Sequence, residues 1–290
     1  MLFRSRRDKI DRLVVDKIGL GHTPSPALED WERFVQRVIH PKHKVTIAVA
    51  GKYIELQDAY KSIYESLIHA GAHHDTKVQI VRVEAEAIED HGAKSVIGDV
   101  DGILVPGGFG DRGTEGKILA AKYARENNIP YFGICLGMQI ATIEYARNVC
   151  GLKGANSTEF DKTTKHPVIC LQEEQKGVED MGATMRLGSS ESILFTGTKA
   201  ADLYGNLDRI HERHRHRYEF NSDYQDRLQD AGLVISSVSA EEGLVEIVEL
   251  PEHPFYLGAQ FHPEFQSKPN HPHPLFSGFV AAALEHSQKH

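Results

Sequence analysis

The sequence predicts an α/β fold: a central, mostly parallel sheet flanked by helices. Three observations predict it. Short β-branched, apolar runs alternate with amphipathic stretches from residue 45 onward. Glycine turns close several of those runs. One such turn, at residues 133–137, joins a strand-like run to a helix-like run, as the βα units of a parallel sheet require.

The elements follow in order. Residues 8–20 read as a short amphipathic helix with Ile10, Leu13, Val14 and Ile18 on one side, and residues 21–26 break it. Trp31, Phe34, Val35 and Val38 suggest a second short helix. Residues 1–22 therefore read as the tail of a preceding domain, 23–43 as a linker and 44–290 as the main domain. Residues 45–50 form the first strand, and Asp58 is suited to cap a helix whose apolar face is Tyr60, Ile63, Tyr64, Leu67 and Ile68. Strands follow at 78–83, 102–105 and 131–134, with a helix over 114–127 and another over 138–149. Later strands are expected at 192–195, 233–238, 244–250 and 255–261, and a last helix at 275–287.

Composition narrows the function classes. The chain has 290 residues, is 40% hydrophobic and carries a formal charge of -8. That charge argues against general binding to nucleic acid or to an anionic membrane surface. No apolar run reaches the roughly 18–20 residues that span a bilayer. The basic N-terminus lacks an apolar signal core, and three cysteines are too few for a disulfide framework, so a cytoplasmic location is expected. Cys150 and Cys170 have no motif around them and read as structural.

Sites in open α/β sheets form at the carboxyl ends of strands. Cys135 stands there, with Gly133 and Gly137 two residues to either side and a helix N-terminus that favours a thiolate. His262 follows another strand and is the candidate base, and Glu264 is the carboxylate to orient it, with a stiffening proline between them. Gly107 and Gly108 follow a third strand. Their backbone N–H groups, with that of Leu136, suit an oxyanion hole, although glycine turns are also common as plain loops. Residues 108–113 fit G-x-G-x-x-G, but a dinucleotide site needs an acid at the end of the next strand, and that strand ends in Cys135. No phosphate loop or C-x-x-C metal pattern occurs, and no metal is expected. The run Arg213-His214-Arg215-His216-Arg217-Tyr218 is either a solvated strand face or a source of one bidentate arginine for a carboxylate. Glu159 is suited to an ammonium group, and an acid and a base across one site suit an amino-acid zwitterion.

Together these residues closely resemble the glutamine amidotransferase domain of the CTP synthase family. Residues 133–139 (Gly-Ile-Cys-Leu-Gly-Met-Gln) and 261–264 (Phe-His-Pro-Glu) indicate a class I amidotransferase. Residues 51–56, 58–62, 108–117, 155–160, 185–188 and 213–218 resemble the CTP synthase branch in particular. The match covers about residues 44–290, and residues 8–20 resemble the last helix of that family's synthetase domain. The amidoligase domain is absent from this sequence, and Gln57 stands where the family has proline.

The resemblance implies a class I glutamine amidotransferase fold. Cys135 would attack the side-chain amide of L-glutamine, and His262 with Glu264 would move protons. Gly108 and Leu136 would hold the oxyanion. Gly108, Leu136, Gly137, Met138, Gln139, Glu159 and Arg217 would bind glutamine, and Arg112, Gly113 and Glu115 would form a GTP-responsive lid. The resemblance further implies an ATP- and Mg2+-dependent synthetase partner that aminates UTP to CTP, and a homo-oligomer formed through that partner. This chain alone would have only glutaminase activity. A γ-glutamyl hydrolase and a non-catalytic regulatory or assembly module are the alternatives.

Overall fold

The computed structural model describes residues 8–21, 28–52, 57–171 and 185–289. The sequence readings that fall on 1–7, 22–27, 53–56 and 172–184 lie outside them. Two helices come first, α1 (Ile10–Lys17) and α2 (Glu29–Ile39), and neither buries a residue. The segment expected to be a linker thus carries α2. Its Phe34 ring meets His69 at 6.1 Å and its Arg37 lies 3.2 Å from Asp75.

The α/β alternation then runs as expected. It comprises β1 (His43–Gly51), α3 (Lys61–His73), β2 (Thr76–Glu84), the short α4 (Ala85–His91) and α5 (Ala93–Ile97), β3 (Gly102–Val105), α6 (Thr114–Glu126), β4 (Tyr131–Ile134) and α7 (Leu136–Asn148). After the small strands β5 (Asn156–Ser157) and β6 (Pro167–Leu171) come β7 (Arg186–Leu194), α8 (Lys199–Leu203), β8 (Arg209–His216) and β9 (Tyr218–Phe220). The chain closes with α9 (Gln225–Asp230), β10 (Val234–Ser239), β11 (Val245–Glu249), β12 (Tyr256–Ala259) and α10 (Pro274–Ser287).

Nine strands form one sheet in the order β2-β1-β3-β4-β12-β11-β10-β7-β8. From β2 to β12 the pairing is parallel, and beyond β12 every pairing is antiparallel. Both faces of β3, β4, β12 and most of β1 are covered, which is why these strands read as apolar runs, whereas the edge strand β2 leaves Lys77, Gln79 and Arg82 exposed. The period of two sorts their side chains: Ile47 and Val49 join Phe132 and the α3 and α10 residues Leu67 and Phe279 on one face. Ala48 and Ala50 join Tyr131 and the α6 and α7 residues Ile118 and Ile140 on the other.

Some local expectations change. Asp58 does not cap α3. It lies in a 3-10 turn (Gln57–Tyr60) ahead of the helix, and Tyr60 holds the cap position without a side-chain bond. Ile68 lies on the exposed side of α3, because the helix buries Ile63, Ser66, Leu67 and Ala70 instead. β5, β6 and β9 form a second, three-stranded sheet that the sequence pattern does not announce. The arginine-histidine run becomes β8, with Arg213 and Arg215 on the exposed side and His214 and His216 buried. Arg217 falls beyond the strand, at the bend before β9.

Candidate active site

Cys135 sits between β4 and α7 with φ 51 and ψ -101, a left-handed value that disfavours any residue with a side chain. The turn is held from both sides. The Cys135 amide donates to the Ala259 carbonyl (2.7 Å), and its own carbonyl accepts from Met138 N (3.1 Å). The flanking glycines are required by packing. A Cβ on Gly137 would lie 2.1 Å from the Val105 carbonyl oxygen, and one on Gly133 would lie 2.5 Å from the Gly137 backbone. Parallel pairing of Ile134 with Ala259 places the ends of β4 and β12 side by side. That pairing brings His262, just past β12, beside the cysteine.

His262 is braced. Its amide donates to the Arg213 carbonyl (2.8 Å), its Nδ1 lies 2.7 Å from Glu264 Oε1, and its ring stacks on Phe265 at 5.3 Å. Pro263 opens the 3-10 turn that aims Glu264 back at the ring. Burial alone would lower the pKa of His262. The Cys135 sulfur and the Glu264 carboxylate outweigh it and push the pKa up to about 10. The ring is therefore protonated near neutral pH. The Cys135 sulfur also lies 3.6 Å from Gln260 Nε2 and 4.0 Å from the Arg215 carbonyl oxygen.

Cys135, His262 and Glu264 line one cavity of about 310 Å³ with Gly107, Gly108, Phe109, Arg215 and the start of α3. A Cβ on Gly107 would lie 2.9 Å from His262 Cε1 and 3.5 Å from Cys135 Cβ, so only glycine leaves room for both side chains. A Cβ on Gly108 would touch the Leu136 side chain at Cδ2 (3.5 Å), so the two residues are neighbours.

The other expected residues divide. Glu159 lies behind the glycine loop, where its Oε1 accepts from the Gly110 amide (2.8 Å). Its pKa is raised, because burial outweighs the Gly110 bond and the charges of Lys52, Arg217 and Lys117. Neither Glu159 nor Arg217 lines the cavity, although the charge of Arg217 reaches Glu159. Gln139 is buried, with its Nε2 3.0 Å from the Tyr218 carbonyl oxygen and 3.2 Å from Gln260 Oε1. Gly137 packs on Val105 and Met138 on Gly258, so both shape the elbow. Of the lid residues, Arg112 pairs with Glu86 (2.9 Å) and Glu84 (3.5 Å), and Gly113 (φ 70) caps α6 against Ala85. Glu115 pairs outward with Arg147 (2.8 Å) and does not line the cavity. Among the described residues no group of three or more acidic, histidine or cysteine side chains is placed to hold a metal ion, and no helix is long and apolar enough to cross a membrane.

Sequence reasoning missed Gln260 and Phe265, and it named Arg215 only as one member of the basic run. The signal for Gln260 was available: it is a polar residue at the end of an apolar strand.

Residues 55–282 match the family described as Glutamine amidotransferase class-I. The chain belongs to that family. A CTP synthase of Syntrophus aciditrophicus is 53% identical over 283 residues, which make up 98% of this chain and 52% of that protein. One from Methanocaldococcus jannaschii is 52% identical over 284 residues, again 52% of its length. The chain thus spans about half the length of the curated relatives it matches. Among solved structures, the glutaminase domain of Trypanosoma brucei CTPS with bound acivicin is 42% identical, with a TM-score of 0.78 over 83% of this chain and 94% of that one. A putative GMP synthase component from Thermoplasma acidophilum, 17% identical with a TM-score of 0.54 over 84% of this chain and 96% of that one, shares the fold.

Proposed function

We propose that this chain is the glutamine-hydrolysing half of a CTP synthase, supplying ammonia to a synthetase half. One observation carries the reading: the Cys135 sulfur, the protonated His262 ring and the Glu264 carboxylate converge over Gly107 in a cavity. The sulfur attacks the side-chain amide carbon of glutamine while backbone N–H groups at Gly108 and Leu136 take the oxyanion. His262 gives its proton to the leaving nitrogen, and ammonia departs. The ring, now neutral, takes a proton from water, whose oxygen attacks the γ-glutamyl thioester. Glutamate leaves, and the sulfur and ring return to their starting state. Glu264 holds the ring and its positive charge throughout. Glu159 suits the substrate ammonium group and Arg217 its carboxylate.

Amination of UTP, with its ATP and Mg2+, belongs on this reading to the half of the relatives that this chain does not span, as does assembly into oligomers. GTP enters as an activator acting near Arg112 and Gly113. The test is glutamate release from glutamine by the purified chain, with and without GTP, beside Cys135→Ala. Cysteine-dependent release is expected. Equal release by Cys135→Ala refutes the assignment.

A further inference from the structure

Gln260 is fully buried, and the chemistry above gives it no part. It directly follows β12, and its backbone amide donates to the Glu246 carbonyl (2.8 Å). The period of two puts Gly258 and Gln260 on the side of the sheet that α7 covers. A Cβ on Gly258 would lie 2.9 Å from Met138, so the glycine lets the helix close in. Two residues on, the Gln260 side chain reaches Gln139 of the same helix.

The direction of these side-chain amides follows from one fixed acceptor. The Tyr218 carbonyl can only accept, so the Gln139 group 3.0 Å from it is Nε2. The same nitrogen has a second hydrogen, and Gln260 Oε1 lies 3.2 Å away to take it. That leaves Gln260 Nε2 on the side of Cys135, 3.6 Å from the sulfur. Turning the Gln260 amide over would set two N–H groups against each other at Gln139 and a carbonyl oxygen against the sulfur.

The other groups around the sulfur do not supply this bond. In the first turn of α7 the Met138 and Gln139 amides donate to the carbonyl of Cys135 itself (3.1 and 3.3 Å). His262 acts on the sulfur through its charge, while its Nε2 has no hydrogen-bond partner among the described residues. The Arg215 carbonyl oxygen, 4.0 Å away, can accept from a thiol but offers nothing to a thiolate. A side-chain amide suits the anion. It donates a charge-assisted bond and has no proton to transfer, so it stabilises the thiolate without quenching it. The bond weakens when the sulfur becomes a neutral thioester and returns as the thiolate leaves.

We infer that Gln260 is a catalytic residue: its side-chain amide, oriented by Gln139, donates a hydrogen bond to the Cys135 thiolate before attack and again as the thiolate leaves the thioester. The catalytic role rests on the reading of Cys135 as the glutaminase nucleophile, and the bond to the sulfur does not.

The test is made on the full chain. The thiolate absorbance of Cys135, taken as the difference from Cys135→Ala, is followed on acidification. Gln260→Met keeps the length of the side chain and removes its N–H groups. It should lose the thiolate at a pH about one to two units above wild type, the range for one hydrogen bond to a charged group. The acid limb of kcat/KM for glutamine should move up with it, which a loss of packing alone would not cause. A midpoint within about 0.3 pH units of wild type overturns the inference. Gln139→Met leaves the Gln260 amide in place without its orienting partner. It should move the midpoint in the same direction by less, and an unmoved midpoint overturns the orienting role.

The absorbance needs no glutamine turnover. A wild-type chain silent toward glutamine therefore counts against the proposed function and leaves the amide–sulfur bond to be judged by the titration. If Gln260→Met does not fold, the wild type decides. A side-chain amide proton of Gln260 should shift in NMR spectra with the same midpoint as the thiolate, and a signal flat in pH overturns the bond.

Discussion

Glu264→Gln separates the orienting role of this side chain from its charge. Glu264 Oε1 lies 2.7 Å from His262 Nδ1, and an amide oxygen accepts the same bond, so the ring keeps its orientation. What disappears is the negative charge beside the imidazolium. A hydrogen bond to a charged partner contributes about 1.5–3 kcal/mol, and the loss of its charged part converts to roughly one to two pKa units. The pKa of His262 starts at about 10, held there against burial by the sulfur and by Glu264. It should therefore fall by roughly one to two units. The same loss weakens the imidazolium that protonates the leaving nitrogen. In serine triads the equivalent acid-to-amide change lowers kcat by about 10⁴-fold, and a fall of roughly 10² to 10⁴ is expected here. KM should change little, because Glu264 does not touch Glu159 or Arg217. The assay is glutamate release across substrate concentration, paired with an NMR titration of the His262 ring. A kcat within about threefold of wild type, or an unmoved ring pKa, would show that the carboxylate does not work on His262 as described.

Other outcomes follow from the same geometry. In Cys135→Ala the ring loses the sulfur that raises its pKa, so His262, protonated through neutral pH in the wild type, should deprotonate well below about 10 in an NMR titration. Gly137→Ala drives a methyl group into the Val105 carbonyl at 2.1 Å and should cost roughly 3 kcal/mol in urea unfolding, because backbone rather than a flexible side chain must yield. Lys117 is 2% exposed, and its pKa is lowered from 10.5 to about 8, first by burial and then by Lys52. Its unfolded form binds a proton between those values and its folded form does not, so its contribution to stability rises with pH across that window. The unfolding free energy of wild type relative to Lys117→Met should therefore climb by at most roughly 3 kcal/mol from pH 8 to pH 10.5, and a flat difference would refute the shift.

The reaction centre was more legible in the sequence than its supports. Gly133, Gly137 and Gly107 stand where a side chain would strike backbone or the two reacting residues, and a glycine forced by close approach leaves a visible mark. The β-branched runs gave the parallel strands for a similar reason: burial on both faces leaves little choice of residue. Gln260 and the Arg215 carbonyl left a weaker mark or none. A backbone carbonyl has no sequence signature, and one glutamine at a strand end resembles many others. β5 and β9 span two and three residues, too few for a period of two to register. The histidines of β8 were read through their arginine neighbours, because alternation alone does not say which side of a strand is buried until the sheet is assembled. Asp58 shows the opposite error, a good capping residue placed one turn too early by the 3-10 segment around it.

The position of β12 beside β4 bears on how the protein is made. Cys135 leaves the ribosome early, just after the fourth strand, while His262 follows the twelfth. Seven intervening strands must be synthesised before the two become neighbours. Until then a nascent chain carries a plain thiol with no imidazole at its side. On the proposed function, ammonia release is thereby withheld from unfinished molecules, and chains truncated before β12 should be chemically quiet rather than wasteful.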